Sequence, residues 1–259
     1  LCKDEAAALK FFEAVNRYER TIRPSFNKMF SAVSEIAEKA EIHSYTLNLL
    51  LFIFMTKRLK HNYLKRGIPL KMYDDMVLDL KYKSTECRLV KGIVGIFVPM
   101  WFSFIFRMEI FSFGILQMQL VKGFVYSGGG IEINKDEYVL SVHIPRTGNR
   151  LEKELVDEAY KKASEFFKEK YNLKRIVFIC NSWLLFPKNF ELLKPASNIY
   201  KFISDYKIIE VKYYDDYSDV WRLFDMDYTG DPDALPADTS LRRAYVDIIK
   251  RSEKLGSGL

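Results

Sequence analysis

The sequence holds only three cysteines in 259 residues, Cys2, Cys87 and Cys180, and no two of them stand at CxxC spacing. That argues against a disulfide framework and against a cysteine-ligated zinc site. The three histidines, His43, His61 and His143, are equally scattered, and with no HExxH present a metal is not expected. Neither GxGxxG nor a Gly-Lys-Ser/Thr phosphate loop occurs. Long hydrophobic runs are also missing. The one membrane-like stretch, "GIVGIFVPMWFSFIF" (92–106), is shorter than the roughly 20 residues of a spanning helix, and Pro99 interrupts it. It is expected to be buried core, with no membrane partner. The opening "LCKDEAAALKFFEAV" carries charge where a secretory signal needs an apolar stretch, so the expected compartment is the cytoplasm.

What the chain does have is apolar bulk. Hydrophobic residues make up 49% and aromatics 15%, enough for a sizeable core and apolar pockets. The net charge of +6 is a mild bias that favours an anionic ligand without indicating nucleic acid. The densest basic run, "TKRLKHNYLKR" (56–66), reads as a solvated helix face. Without interleaved exposed aromatics it is not a nucleic-acid surface; the sharper reading is a dock for an acidic partner.

The first part of the chain has helical period. Ala8, Phe11, Phe12, Val15 and Tyr18 share one face of a first helix. After a possible cap at Ser25, Phe26, Met29, Phe30, Val33, Ile36 and Ala37 form the stripe of a second. A third, apolar enough to be central, stops at Gly67, and 69–90 reads as a mixed, shorter segment. Near Phe113 the period changes to two: Leu116, Met118 and Leu120 oppose Gln117 and Gln119. Strand "YVLSVHI" (138–144), a long helix over 151–171, a buried strand "RIVFIC" and a short helix "SNIYKFISDY" follow. "KIIEVKYY" and "DVWRLFD" then suggest a final hairpin before a terminal helix. The class is α+β: an all-helical domain over 1–112, then a mixed β-sheet flanked by helices over 113–259.

Between strand and long helix lies "PRTGN" (145–149). A strand entering a helix through a glycine-containing loop gathers unpaired N–H groups and the helix dipole at one point, which suits a phosphate. Gly148 permits close approach, and Arg146 and Arg150 add positive charge. The other reading is an ordinary capped turn. Pro145 supplies no N–H, and "NRLE" places Asn149 as a helix cap with Glu152 in the first turn. On the strand before the loop, Ser141 and His143 share a face with Val139 and would line a cleft. No Ser-His-Asp or Cys-His set accompanies them, so no covalent mechanism is indicated.

"FGILQMQL", "VLSVHIPRTG", "FICNSWLLFP", "SNIYKF", "LPADTSLRRA" and the closing "GSGL" stand in the order seen in two-domain GNAT-related acyltransferases, and the sequence resembles that family from about residue 42 to its end. The helical stretch "GIPLKMYDDMVLDLKYKSTECRLVKGIVGIFVPMWF" is similar too. The resemblance implies a GNAT-like fold binding acyl-coenzyme A, acetyl-coenzyme A being the expected donor, with no metal. The pantetheine arm would lie beside Val142 and Ile144, and the pyrophosphate on Arg146, Thr147, Gly148, Asn149 and Arg150. An amine, on a small molecule or a peptide, would attack the thioester directly. His143 is the expected base, since imidazole ordinarily titrates close to neutral pH. Ser182 would position the substrate and Tyr206 would protonate the leaving thiolate. An acyl carrier protein docked on 56–66 is a further possible donor. The family loop usually has a second glycine, and relatives commonly carry Arg where Ile115 stands. Those two differences favour the alternative, a catalytically degenerate GNAT-like domain that binds a ligand or a protein.

Overall fold

The computed structural model describes residues 5–20 and 25–259, apart from the side chains of 14 and 17–20. Cys2 and the side chain of Tyr18 lie outside the described residues. The chain forms two compact units, Leu1–Phe111 and Ser112–Leu259.

The first unit is helical: α1 (Glu5–Arg20), α2 (Phe26–Ala40), α3 (Ser44–Lys65), α4 (Leu70–Lys91) and α5 (Pro99–Phe106). Helix α3 is its axis. Leu47, Leu51, Met55, Leu59 and Tyr63 recur every four residues and are buried, so one side of the helix is apolar along its whole length. Phe52, one position on, stacks on Phe102 of α5 with ring centroids 4.6 Å apart. The basic run faces outward: Lys57, Lys60, Lys65 and Arg66 are exposed while Leu59 and Tyr63 point in. On α1 the buried positions are Ala7, Phe11 and Val15; Phe12, expected inside, is half exposed. Ser25 precedes α2 but makes no side-chain cap.

The segment expected to be mixed and short is instead the 22-residue helix α4. Its inner face carries Asp79 and Glu86 beside Met76 and Cys87, and acidic residues there erase the apolar stripe a sequence reading relies on. Asp79 is tolerated inside because Trp101 Nε1 donates to its Oδ2 at 2.7 Å, and Glu86 accepts from Lys83 at 2.9 Å. The apolar run after α4 is buried in part: Ile96, Phe102, Ile105 and Phe106 are inside, Val94 and Met100 exposed. Gly95 lets this run lie against the start of α3, where Ile96 N–H donates to Tyr45 C=O at 2.8 Å; a Cβ on Gly95 would strike the Tyr45 backbone.

The second unit is built on a sheet. β1 (Ile110–Phe113) and β2 (Leu116–Lys122) lead to a small two-stranded ribbon, β3 (Tyr126–Gly128) with β4 (Ile131–Ile133), then to β5 (Tyr138–His143). Next come α6 (Lys153–Tyr171), β6 (Phe178–Ile179) and a 3-10 turn, Trp183–Leu185. The main sheet has order β1-β2-β5-β6. β2 and β5 are antiparallel with Gln119 opposite Ser141 and Gln117 opposite His143. β5 and β6 are parallel, the mixed sheet expected. Val156, Ala159, Ala163 and Phe167 are the buried side of α6, and Phe167 lies 5.8 Å from the Phe113 ring.

Beyond the turn come α7 (Lys188–Leu192), α8 (Asn198–Ile203), β7 (Val211–Tyr213), α9 (Trp221–Phe224), α10 (Ser240–Lys250) and β8 (Gly256–Gly258). Here the expected hairpin is wrong. "DVWRLFD" is a single helical turn, and Val211–Tyr213 pairs antiparallel with Gly256–Gly258. Val220 and Phe224 stand at helical spacing and bury in a core with Leu241, Tyr245, Ile248 and Ile249. The true partner strand, Gly-Ser-Gly, has almost no side chains and so no strand signature. It fits because Cβ atoms at Gly256 and Gly258 would collide with the carbonyls of Lys212 and Leu185.

One side chain ties the turn after β6 to α10. Asn189, fully buried, donates from Nδ2 to the carbonyls of Trp183 (2.8 Å) and Leu184 (3.0 Å) and accepts from the Tyr245 hydroxyl (2.8 Å). Asn189→Ala strands the Leu184 carbonyl and the Tyr245 hydroxyl, the Trp183 carbonyl still accepting from Phe186 N–H, and should cost roughly 3 kcal/mol in urea unfolding. Tyr245→Phe leaves only the Asn189 oxygen unpaired and should cost about 1–2 kcal/mol.

Candidate functional site

The pairing of β5 with β6 lasts two residue pairs, Leu140 with Phe178 and Ser141 with Ile179. The chain of β6 then turns away. Ser182 forms a two-way backbone bridge with Gly258, N–H to C=O at 3.1 Å in each direction, and so joins β8. β5 meanwhile runs on through Val142 and His143, still paired to β2. Two parallel strands parting in mid-sheet leave a wedge between them, with backbone polar groups of β5 at its edge. The full "RIVFIC" strand is therefore not formed; only Phe178–Ile179 stays in the ladder, half-buried rather than sealed on both faces.

The predicted residues fall around this wedge in different states. Val142 is buried and Ile144 half-buried at the end of β5. His143 is half-buried, its Nε2 3.1 Å from Gln119 Oε1. That neighbour comes from the cross-strand register, which a sequence reading does not supply. Ser182 serves the backbone: its Oγ accepts from Leu184 N–H at 3.2 Å and caps the 3-10 turn. Tyr206 follows α8, and its hydroxyl is 2.7 Å from that of Tyr160 on α6. Tyr160 was not anticipated, although its helical spacing from Val156 and Ala163 places it near the buried side of α6. Its ring packs on Phe178 at 4.7 Å, so the two hydroxyls lie beside the strand that leaves the ladder.

Burial dominates the electrostatics of this cluster. It pushes the hydroxyls of Tyr160 and Tyr206 well above the ordinary phenol value, so both keep their protons across the neutral range. Burial likewise pushes the Cys180 thiol up to about 12, which leaves it protonated and a poor nucleophile.

The loop beyond β5 differs from the capped turn that its sequence suggests. Thr147 Oγ1 accepts from Asn149 N–H at 3.1 Å, and Gly148 takes φ +82. This turn places Asn149 ahead of the helix, so the cap is Glu152, which makes no side-chain cap bond, and α6 begins at Lys153 rather than 151. Gly148, Asn149 and Arg150 are exposed. Two cations nearby are engaged: Arg146 binds Asp225, and Lys153 binds Asp157 and lies 3.5 Å from Asp205.

With this geometry in view, the class is that of an acyltransferase-type α+β fold with a parted parallel pair. The family model for the GNAT-like C-terminal domain matches residues 110–259, and that for the N-acyltransferase N-terminal domain matches residues 3–108. The chain belongs to this two-domain, GNAT-related N-acyltransferase family. No curated protein matches it. Among solved structures it is similar in fold to an acyltransferase in complex with decanoyl-CoA and teicoplanin, with TM-score 0.73 and 19% identity over 97% of this chain and 76% of that one. A complex with CoA and 10C-teicoplanin gives TM-score 0.71 and 18% identity, covering 97% and 76%. A decanoyl-CoA complex gives 0.71 and 19%, covering 98% and 74%. No helix among the described residues is long and apolar enough to cross a membrane.

Asp225 is the anchor of the loop. It holds both Arg146 and Arg242, the latter at 2.9 Å. Burial acts to raise its carboxyl, but hydrogen bonds and charge from the two arginines outweigh it, and the group stays below its ordinary value of 3.8. A depressed carboxyl contributes stability in full above the unfolded value and loses it as pH falls through the folded one. Asp225→Asn, which tolerates the observed φ of +62, should cost about 1–2 kcal/mol at pH 7. Thermal melts should show the difference from wild type closing as pH drops below 3.8.

Proposed function

We propose that the protein is an acyl-coenzyme A-dependent N-acyltransferase whose donor lies in the wedge between β5 and β6. The observation that carries this reading is the parting of those strands after two residue pairs, with the 145–150 loop at one end and the Tyr160–Tyr206 pair alongside. An extended pantetheine arm has the shape of the missing strand and can bond to the free edge of β5 near Val142 and Ile144. The pyrophosphate would rest on the loop and the start of α6, where Gly148, Thr147, Asn149 and Arg150 stand before uncapped helix N–H groups. Arg146 reaches the phosphates by sharing or leaving Asp225.

Chemistry is direct attack of an amine on the thioester. The amine nitrogen bonds to the carbonyl carbon, the C–S bond breaks, and the proton lost by nitrogen is taken by a base as the thiolate gains one. His143 is the base, oriented by Gln119. Tyr206 supplies the thiolate proton, with Tyr160 holding its hydroxyl in place. Ser182 acts through its backbone, keeping the far wall of the wedge attached to β8. The donor class is acyl-coenzyme A with acetyl as one candidate chain. The similar solved acyltransferases hold decanoyl-CoA, so a medium chain is the second candidate.

Calorimetry with acetyl- and decanoyl-coenzyme A tests the reading. Wild type should bind at least one of them, and Gly148→Val, a β-branched residue forced to φ +82, should weaken binding about tenfold. Absence of binding by wild type overturns the reading. Tyr206→Phe should lower kcat about 100-fold with donor KM little changed, and Tyr160→Phe should lower it by less. Binding of donor with no transfer to any amine tried would leave the degenerate binding module in its place.

A further inference from the structure

A cavity with a lining distinct from the β5–β6 wedge lies in the same unit. It is a hollow of about 340 Å³, a figure that includes its open mouth, and is walled by Trp183, Tyr214, Tyr217, Leu223, Tyr245 and Leu255. The walls are almost wholly apolar. Two of the tyrosine hydroxyls are already committed to the protein: Tyr245 donates to Asn189 at 2.8 Å, and Tyr217 donates to the Glu253 carbonyl at 2.9 Å. Trp183 and Tyr245 meet edge to face with centroids 6.0 Å apart, which fixes the angle of the inner wall.

Charge is confined to the lining contributed by 216–222. Asp219 is paired with Arg222 at 3.2 Å, and the Arg222 guanidinium is drawn over the Trp221 ring, 4.4 Å from its centroid. Asp216 is left as the net negative group. Hydrogen bonds from the Ser218 side chain and from its N–H, at 2.8 Å, hold the carboxyl below the ordinary value and keep it anionic at neutral pH. Aromatic walls with one uncompensated carboxylate suit an apolar body that carries a cation: ring faces attract an ammonium and the carboxylate pairs with it. An anionic ligand would meet Asp216 and find only an arginine already bound.

We propose that this cavity binds an aryl- or alkyl-ammonium compound, its apolar end among Trp183, Tyr217 and Tyr245 and its ammonium at Asp216. Trp183 follows directly on Ser182, where the strand that has left β5 joins β8, so the cavity starts one residue beyond the wall of the wedge. The assignment of this ligand as the acyl acceptor rests on the acyl-transfer reading; the binding itself does not.

The probe is 2-phenylethylammonium, with phenylacetate as its anionic counterpart, titrated by calorimetry and tryptophan fluorescence in the absence of any donor. The ammonium should bind about tenfold or more tightly than phenylacetate. Asp216→Asn, an exposed change that still accepts the Ser218 N–H, should remove most of that preference. Leu223→Trp should fill the cavity and abolish binding, with the thermal midpoint read as the control for folding. Equal binding of the two probes, no binding of the ammonium, or unchanged binding by a folded Leu223→Trp protein overturns the proposal. The two readings separate cleanly. Binding of the ammonium here without acylation by any acyl-coenzyme A removes the acceptor role and leaves the site. Acylation with an amine KM untouched by Leu223→Trp places the acceptor elsewhere and leaves the transferase, while the calorimetric titration alone decides the site.

Discussion

The bridge between Ser182 and Gly258 is the contact on which the second unit depends. A parallel strand beside β5 would ordinarily continue its ladder, since unpaired backbone groups inside a protein are costly. Here the polar groups of 182 are satisfied on the opposite side, by β8, so the chain can leave β5 without leaving them unpaired. That exchange needs β8 to lie very close to the turn after β6. Glycine at 256 and 258 supplies the room, and Asn189 fastens the turn from behind by holding two of its carbonyls. The wedge beside β5 is thus a product of pairing elsewhere.

The loop at the end of the wedge shows a second economy of charge. Its arginine is held by Asp225, which also binds Arg242 at 2.9 Å and so links the loop to α10. A partly buried carboxylate is stable only while at least one guanidinium remains near it. A dianionic ligand arriving at the loop would compete for Arg146 while Arg242 kept Asp225 neutralised. The same residues that order the loop without ligand can therefore yield one cation to a phosphate without exposing a bare buried acid.

Several features were legible in the sequence because they rest on local periodicity. The stripe of α2 and the β5 alternation survive folding, since each depends on residues three, four or two apart, and the apolar α3 is central as read. The failures share one cause, which is that the deciding partner was distant. α4 lost its apolar stripe to Asp79, whose reason for being inside is Trp101, 22 residues away. β7 was paired in expectation with its neighbour "DVWRLFD", while its partner was a side-chain-poor Gly-Ser-Gly more than 40 residues on. Around the wedge, the partners that His143 and Tyr206 meet, Gln119 and Tyr160, could not be named from the sequence. Those contacts exist only through cross-strand register and helix-on-sheet packing.

The sequence alone determined the family, the α+β class with its helical first part, and the place of one glycine loop between a strand and a helix. Those follow from composition, spacing and motif order, which need no knowledge of what lies across the sheet. The tertiary structure decided that β6 parts from β5 after two pairs, that Arg146 is tied to Asp225, that Tyr160 meets Tyr206, and that four aromatic side chains from separate segments wall a cavity. Each of these joins residues far apart in the chain, and each is settled by satisfying buried polar groups and filling space together, a condition that no local window of sequence contains.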